Sequence, residues 1–313
     1  MVVLEGPRPQ AHALKVSSQS LTCWRFPDVG GAGRPRLVML HGMRDVARGL
    51  LPVAWPLTER FELHLYDLRG HGASARSDVY SLYQYYFDVY TLLAELRRAP
   101  EPLYLFGHSL GGQLAARIAG LFPELVDGLV LAEGLGPPRP NWNQALTSED
   151  EDVKALRAQL LDRFSLTASL RPLPDTEFAA ARLRANNPRL SAEQALLTAT
   201  VATRRNESGE LHWDFDPRVA TVFVGFDEGE SARLWRQVTC PVLTITGDCA
   251  DEYWRSLYPG GTYSGHFQPG EYEARISAFR TIEHKRFEHS GHMVHFDEPD
   301  RLAAAIQDFL TQR

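Results

Sequence analysis

The chain has 313 residues, of which 44% are hydrophobic and 23% are charged, and this composition is that of an ordinary globular protein with enough apolar material for a large core. Its formal net charge of -6 gives no basic face that could hold a phosphate backbone, so we expect a small-molecule substrate and no nucleic acid partner. The N-terminus lacks the basic start and apolar run of a signal peptide, and no apolar run reaches the ~18 residues that span a bilayer, so we expect a soluble, cytoplasmic protein with no membrane partner.

The predicted strands begin with two short runs of β-forming residues at 12–16 and 21–26, which are typical of a hairpin. A continuous apolar run at 36–42 follows, of the kind that is buried on both faces of a parallel sheet. Further runs of this kind lie at 61–67, 103–107, 128–134, 241–247 and 279–291. Because helical patterns separate these runs, the sequence predicts a doubly wound, parallel α/β sheet.

Two helices are predicted beside the central strands. Over 81–98, apolar side chains recur at steps of four and three, and we interpret this stripe as core packing rather than as a binding surface. The stripe consists of Leu82, Tyr86, Val89, Leu93 and Leu96. The second helix follows the run at 103–107, and the small residues at 112, 115, 116 and 119 allow it to lie close to a sheet.

Residues 136–235 do not fit this alternation of strands and helices. They contain helical patterns at 147–164, 175–188 and 191–205 and signals for one further strand, before a buried-strand pattern returns at 241–247. The pattern at 191–205 opens with a capping box, Ser191 and Gln194. We therefore predict a helical insertion at 136–235 in a core formed by 1–135 and 236–313.

The segment Gly107-His108-Ser109-Leu110-Gly111 has the pattern G-x-S-x-G and lies where an apolar strand is predicted to become a helix. Such a turn strains its apex residue, and its flanking positions require glycine because a side chain there would collide with neighbouring backbone. The serine hydroxyl then stands clear of the sheet at a helix N-terminus, where developing negative charge is favoured. We interpret Ser109 as a nucleophile.

A serine nucleophile needs a base within hydrogen-bond reach, and an acid that orients the base. The best candidate base is His292, because it follows the last predicted strand and Gly291 permits a tight turn toward the sheet edge. His289 and His295 are nearby alternatives, but neither follows a glycine.

At this point the sequence resembles the α/β-hydrolase family. The resemblance rests on the segments LVMLHGMRD, LYDLRGHGAS, LFGHSLGG, CPVLTITGDCAD and SGHMVHFDEP, which occur in the family's order. It implies an eight-stranded, mostly parallel sheet, a helical lid at 136–235, and a serine esterase-like or lipase-like catalytic triad with Ser109 as nucleophile and His292 as base. It also implies that the acid lies between these two residues in the chain.

The same resemblance implies an oxyanion hole formed by the backbone N–H groups of Met43 and Leu110. Two preorganised donors of this kind are worth roughly 3 kcal/mol each when a carbonyl oxygen becomes negative. Positions in the neighbouring loops resemble loop-shaping positions of the family, and we interpret them as structural. They are His41, Gly42, Asp67, Arg69, Gly70, His71 and Gly72.

Three carboxylates are candidates for the acid. After the run at 241–247 the family's usual spacing falls on Ala250, and Asp251 lies one residue further on. We favour Asp251, because a one-residue adjustment in a surface loop is cheap. Glu133, at the end of the preceding core strand, is the second candidate, with anchoring of the lid as its alternative role, and Asp248 is the third.

Serine at the elbow points to acyl transfer to water, with cleavage of a carboxylic ester of a small, largely apolar substrate. Lactone, thioester and carbon–carbon bond hydrolysis by the same triad remain alternatives, as does a catalytically silent ligand-binding protein. The resemblance implies no cofactor and no metal, and the thiols Cys23, Cys240 and Cys249 match no zinc or redox spacing. Lid aromatics such as Trp142, Trp213 and Phe215 make an apolar acyl pocket plausible.

Overall fold

The computed structural model describes residues 6–27, 33–139, 153–154, 157–158, 160–162, 165–167, 169–223, 228–256 and 264–312. Its strands are β1 (Gln10–Val16), β2 (Gln19–Arg25), β3 (Arg36–Leu40), β4 (Glu62–Asp67), β5 (Leu103–His108), β6 (Gly128–Ala132), β7 (Thr203–Arg205), β8 (Leu211–Trp213), β9 (Val242–Gly247) and β10 (Ile282–Phe287).

The helices that connect and cover these strands are α1 (Leu51–Ala54), α2 (Leu82–Leu96), α3 (Leu110–Leu121), α4 (Thr176–Asn186), α5 (Ala192–Ala202), α6 (Glu228–Trp235), α7 (Asp251–Ser256), α8 (Glu271–Ile276), α9 (Val294–Asp297) and α10 (Pro299–Thr311). Short 3₁₀ helices cover Ala47–Leu50, Trp55–Leu57, Pro123–Leu125 and Pro217–Phe223.

Eight strands form one sheet in the order β1-β2-β4-β3-β5-β6-β9-β10. The pairs β1–β2 and β2–β4 are antiparallel, and every later pair is parallel. The predicted eight-stranded, mostly parallel sheet is therefore confirmed. Because the central strands run parallel, the residues that follow β3, β5, β6, β9 and β10 meet at one edge of the sheet.

The central strands are buried on both faces, as the continuous apolar runs predict, whereas β10, for which the same was expected, is a largely exposed edge strand. In β3, Val38 and Leu40 pack into the apolar cluster on one face, whereas Leu37 and Met39 pack into the cluster on the other. This alternation follows from the two-residue period of a strand, because successive side chains point to opposite faces.

Helices α2 and α3 lie close to the sheet as predicted. Ser81 caps α2 in a capping box with Gln84, and the predicted stripe of α2 packs into the core. In α3, a Cβ on Gly112 would lie 2.4 Å from the Cα of Gly134, so only glycine allows the helix to approach the chain that follows β6 so closely. Among the described residues, we find no helix with both the length and the apolar character that a bilayer crossing requires.

The described part of 136–235 contains the helices predicted at 175–188 and 191–205, as α4 and α5. The capping box of Ser191 and Gln194 is present at the start of α5. Instead of one strand the chain forms a two-stranded antiparallel hairpin, β7–β8, because the turn after β7 reverses the chain within five residues. Most of the helix predicted at 147–164 lies outside the described residues, as does Trp142.

Helix α6, which ends the predicted insertion, packs against the core helix α3. The buried guanidinium of Arg117 in α3 donates hydrogen bonds to the hydroxyl oxygens of Tyr86 (2.9 Å) and Ser231 (2.5 Å). A Cβ on Gly120 would lie 2.2 Å from the carbonyl oxygen of Leu234, so the two helices are in backbone contact. Helix α6 is thus part of the layer of helices that covers the sheet.

Candidate active site

Ser109 lies at the apex of the sharp turn between β5 and α3. Its backbone has φ 51° and ψ -115°, in a region that residues other than glycine rarely adopt. A Cβ on Gly107 would lie 2.3 Å from the carbonyl oxygen of Gly111, and a Cβ on Gly111 would lie 2.4 Å from that of Leu40. Both glycines of the motif are therefore required by close backbone contacts, and the predicted strained turn is confirmed.

The side chains of Ser109, His292 and Glu133 form a continuous hydrogen-bonded row. The Ser109 hydroxyl donates to Nε2 of His292 at 3.0 Å, and Nδ1 of His292 donates to Oε2 of Glu133 at 3.1 Å. His292 and Glu133 are buried, and Ser109 is half-buried. Because the carboxylate can only accept, Nδ1 carries the proton and Nε2 is free to accept a proton from the serine.

The Glu133 carboxylate is held by the ends of two neighbouring strands. Glu133 follows β6 with a left-handed φ of 51°, and its N–H donates to the carbonyl of Ile245 at 2.8 Å. Its second carboxylate oxygen, Oε1, accepts from the N–H of Gly247 at 2.8 Å. Both oxygens therefore have partners, and the carboxylate is fixed in the orientation that meets His292.

The contact with His292 that we expected from Asp251 is made by Glu133 instead. The chain turns into α7 directly after β9, so Asp251 begins that helix and pairs with Arg255 at 2.7 Å and with His266 at 3.5 Å. The third candidate, Asp248, faces Arg286, which donates to both of its oxygens at 2.9 Å. We expected the loop after β9 to be one residue longer than usual and to end at Asp251 as the acid. Asp251 instead begins α7.

The alternative bases, His289 and His295, occupy other places. His289 is exposed, and His295 is buried 3.3 Å from the carboxylate of Asp45. The buried His108, which precedes the nucleophile, uses Nε2 to donate to the carbonyl of His292 at 2.9 Å. Burial holds the pKa of His108 well below its usual value, so this imidazole is neutral and ties the nucleophile turn to the loop of His292.

The loop that carries Met43 lies directly against the nucleophile turn. A Cβ on Gly42 would lie 3.3 Å from Cβ of Ser109, and the N–H of Arg44 donates to Nε2 of His71 at 3.2 Å. His41 accepts from the N–H of Leu68 at 3.0 Å. His41 and His71 thus shape this loop, as we predicted from their positions, and Met43 is held next to Ser109.

Two aromatic side chains that the sequence analysis did not single out surround His292. The ring of Tyr253 stacks on the imidazole with 4.3 Å between ring centroids and 12° between ring planes. Trp254 meets the same imidazole edge-on at 4.4 Å. Both belong to α7, which starts at Asp251, so the segment that was expected to supply the acid supplies aromatic contacts instead.

The chain that leaves Glu133 is anchored by α8. Arg275 donates to the carbonyl oxygens of Leu135 and Pro137, both at 2.7 Å, and to the buried carboxylate of Glu271 at 2.7 Å. Glu271 in turn accepts from the N–H of Arg139 at 2.8 Å. Helix α8 therefore fixes the first residues of the predicted insertion.

The described part of the insertion packs against the loop of His292. Asn187 donates to Asp297 at 2.7 Å, and Gln194 donates to the carbonyl of Phe296 at 3.1 Å. Phe296 also belongs to the apolar cluster of the insertion, which Trp213 covers. Phe215 pairs with His71 in an isolated β-bridge. The insertion is thus joined to the core on both sides of the site.

The cysteines are all unpaired, and two of them are buried. Burial raises the pKa of the Cys23 and Cys240 thiols to about 12, so neither is a thiolate at neutral pH.

Comparison with known proteins supports the family expected from the motifs. Residues 37–305 match the model of the alpha/beta hydrolase family. An esterase of Mycobacterium tuberculosis is 29% identical over 99% of this chain and 92% of its own length, and a probable alcohol acetyltransferase of Saccharomyces cerevisiae is 28% identical over 90% of this chain and 78% of its own length. Among solved structures, the thioesterase domain from the curacin biosynthetic pathway superposes with a TM-score of 0.76 at 23% identity, covering 96% of this chain and 99% of that domain. The chain belongs to the alpha/beta hydrolase family.

Proposed function

We propose that this protein is a serine hydrolase that cleaves a carboxylic ester of a small, largely apolar substrate through an acyl-enzyme on Ser109. The observation that carries the proposal is the row of hydrogen bonds from Ser109 through His292 to Glu133, at 3.0 and 3.1 Å. A hydroxyl is a poor nucleophile at neutral pH, and an imidazole with an oriented carboxylate behind it is the arrangement that activates one.

In the proposed reaction, Nε2 of His292 takes the hydroxyl proton while Oγ of Ser109 attacks the ester carbonyl. The imidazolium that forms is stabilised by the carboxylate of Glu133, which accepts from Nδ1 throughout. The tetrahedral intermediate collapses when His292 gives the proton to the departing alcohol oxygen. Water then attacks the acyl-enzyme with His292 as base, and the carboxylic acid product leaves as His292 passes the proton taken from that water to Oγ of Ser109.

We assign the binding of the oxyanion to the backbone N–H groups of Met43 and Leu110. The assignment is supported by the contact between the Gly42 backbone and Ser109, which brings the loop of Met43 to the side of the nucleophile where Leu110 begins α3. The N-terminus of α3 adds its partial positive charge at the same place. Donors of this kind are worth roughly 3 kcal/mol each in the transition state.

We further propose that the insertion, up to the start of α6, forms the lid and the wall of the acyl pocket. This is supported by its contacts with the loops of His292 and His71, which lie on two sides of Ser109. The mycobacterial relative is named an esterase, and a shorter match, 39% identical over 103 residues, is named a pimeloyl-[acyl-carrier protein] methyl ester esterase of Edwardsiella ictaluri. These names favour ester hydrolysis.

Covalent labelling tests whether the site is catalytic. A fluorophosphonate should add one adduct to the pure protein, found by intact mass, and Ser109→Ala should give none. An unlabelled wild-type protein would contradict the proposal and favour a silent ligand-binding protein.

A substrate series tests the reaction class. Nitrophenyl esters of increasing acyl length should be hydrolysed by the wild type and not by Ser109→Ala, with a length preference that reports the depth of the pocket. Turnover of a lactone or a thioester above that of every ester would instead assign the site to one of those bonds.

A further inference from the structure

The imidazole of His292 is held in its plane by two hydrogen bonds and on one face by an aromatic ring. The hydrogen bonds to Ser109 and Glu133 lie at opposite nitrogens, so they define the axis of the ring but resist rotation about that axis only weakly. Tyr253 stacks on the imidazole at 4.3 Å with only 12° between the planes. A flat stack of this kind opposes the rotation that the hydrogen bonds leave open.

Tyr253 lies on the short helix α7. Helix α7 begins at Asp251, whose carboxylate pairs with Arg255 one turn later at 2.7 Å. Arg189 of the insertion holds the outer side of the same helix through two bonds of 2.7 Å to Glu252. Tyr253 is therefore placed over His292 by a helix whose exposed side is joined to the insertion through Arg189.

The aromatic face also has an electrostatic effect. A π-system carries partial negative charge on its faces and attracts a cation placed above it. In the reaction proposed above, His292 becomes an imidazolium each time it takes the proton of Ser109. Tyr253 thus lies where it attracts the charged form more strongly than the neutral form.

We propose that Tyr253 is a positioning residue for His292, which keeps the imidazole in the plane shared by Ser109 and Glu133 and favours the imidazolium that forms during acyl transfer. This inference rests on the proposed function for its effect on rate, whereas the stacking can be tested without activity. An aromatic ring is the required property, and the phenol hydroxyl is not.

The rate test compares two replacements of the same residue. Tyr253→Phe keeps the ring and should keep kcat within about twofold, whereas Tyr253→Leu keeps an apolar cover without a π-face and should lower kcat by about two- to thirtyfold with little change in KM. Tyr253→Met is the second non-aromatic variant, in case Tyr253→Leu fails to fold. Tyr83→Leu, at a tyrosine that is 73% exposed on α2, controls for loss of a tyrosine elsewhere.

A spectroscopic test reads the stack directly. The ring proton between the two nitrogens of His292, assigned with His292→Gln, should be shifted upfield by the ring current of Tyr253 in the NMR spectrum. The shift should persist in Tyr253→Phe and fall in Tyr253→Leu, where only the ring of Trp254 remains beside His292.

Distinct results overturn the two proposals. Wild-type kcat in the non-aromatic variants, or a loss in Tyr253→Phe as large as that in Tyr253→Leu, would overturn the role of the ring. A wild-type protein that shows the ring-current shift but neither labels nor hydrolyses any ester would contradict the proposed function while leaving the stack established.

Discussion

The carboxylate of Glu133 accepts a hydrogen bond from the backbone N–H of Gly247, the last residue of β9, at 2.8 Å. We expected the chain after β9 to supply the acid through Asp251, whereas the end of β9 donates a hydrogen bond to Glu133, which follows β6. The other carboxylate oxygen meets His292 at 3.1 Å. Glu133 thus follows β6, and the end of the neighbouring strand β9 orients its carboxylate.

We predict that Glu133 and Asp251 differ sharply in their effect on turnover. Glu133→Ala should lower kcat/KM by about 10³- to 10⁴-fold, because the imidazole loses the carboxylate that sets its tautomer and stabilises its charge. Asp251→Ala should keep kcat/KM within about threefold, since Asp251 pairs with Arg255 on α7. Steady-state kinetics on one nitrophenyl ester measures kcat/KM of both variants. The opposite ranking would indicate that Asp251, and not Glu133, is the acid.

We predict that Gly111 tolerates no side chain. Gly111→Ala places a Cβ 2.4 Å from the Leu40 carbonyl oxygen, so β3 or α3 must shift, and the free energy of unfolding should fall by about 3 kcal/mol. Labelling of Ser109 by a fluorophosphonate should fall as well. Gly209→Ala is the control, because its φ is +83° but nothing lies within 4 Å, so only the left-handed backbone costs about 1–2 kcal/mol. Equal losses in urea titrations would show that crowding at Gly111 is unimportant.

We predict that Arg275 stabilises the chain that follows Glu133. Arg275→Met removes the donors to Leu135 and Pro137 and leaves the buried Glu271 without its cation, which should cost about 3–5 kcal/mol of unfolding free energy. Adding Glu271→Gln should recover part of this loss, because the buried charge is then gone. Turnover should stay reduced in the double variant, since the chain beyond Glu133 remains unanchored. A double variant with full kcat would contradict the anchoring role.

We predict that Glu62, at the start of β4, contributes to the free energy of unfolding by an amount that depends on pH. A hydrogen bond from His64, followed by contacts with Arg25, lowers the pKa of Glu62 from 4.5 to about 2. A carboxyl whose pKa is lower in the folded state stabilises the fold above pH 4.5, and this stabilisation is lost as the pH falls through 2. Because Glu62 is partly exposed, Glu62→Gln should cost only about 1 kcal/mol at pH 7.

Urea unfolding of both proteins between pH 7 and pH 2 measures this difference. The two free energies should converge as the pH approaches 2. A gap that stays constant over this range would show that the ionised carboxylate is not what stabilises the strand.

Most of the fold is predictable because its signal is local. Continuous apolar runs separated by helical stripes indicate a parallel sheet with two covered faces. The glycines of the G-x-S-x-G segment indicate a sharp turn, because glycine is required where neighbouring backbone lies so close. The contact between Ser109 and His292 could be expected for a similar reason, since Ser109 has glycines two residues away on each side, His292 follows Gly291, and both lie at the ends of predicted strands.

The acid could not be predicted with the same reliability, because its place depends on distant backbone. Glu133 and Asp251 each follow a core strand, and spacing alone cannot tell which one turns toward His292. Glu133 is turned toward His292 by its left-handed backbone and by the hydrogen bond from the N–H of Gly247. Neither feature can be read from the pattern of residue types. Tyr253 was missed because an aromatic residue in a short helix has the same signature as ordinary packing.

The left-handed backbone at both Ser109 and Glu133 has a wider consequence. These residues follow adjacent parallel strands, and the N–H of Ser109 donates to the carbonyl of Ala132 at 3.0 Å. The directions of the Ser109 and Glu133 side chains are therefore set by main-chain dihedral angles and by hydrogen bonds between neighbouring strands, and not by the side chains of the insertion. We therefore expect that exchanging the insertion for another of equal span would leave the backbone turns at Ser109 and Glu133 in place.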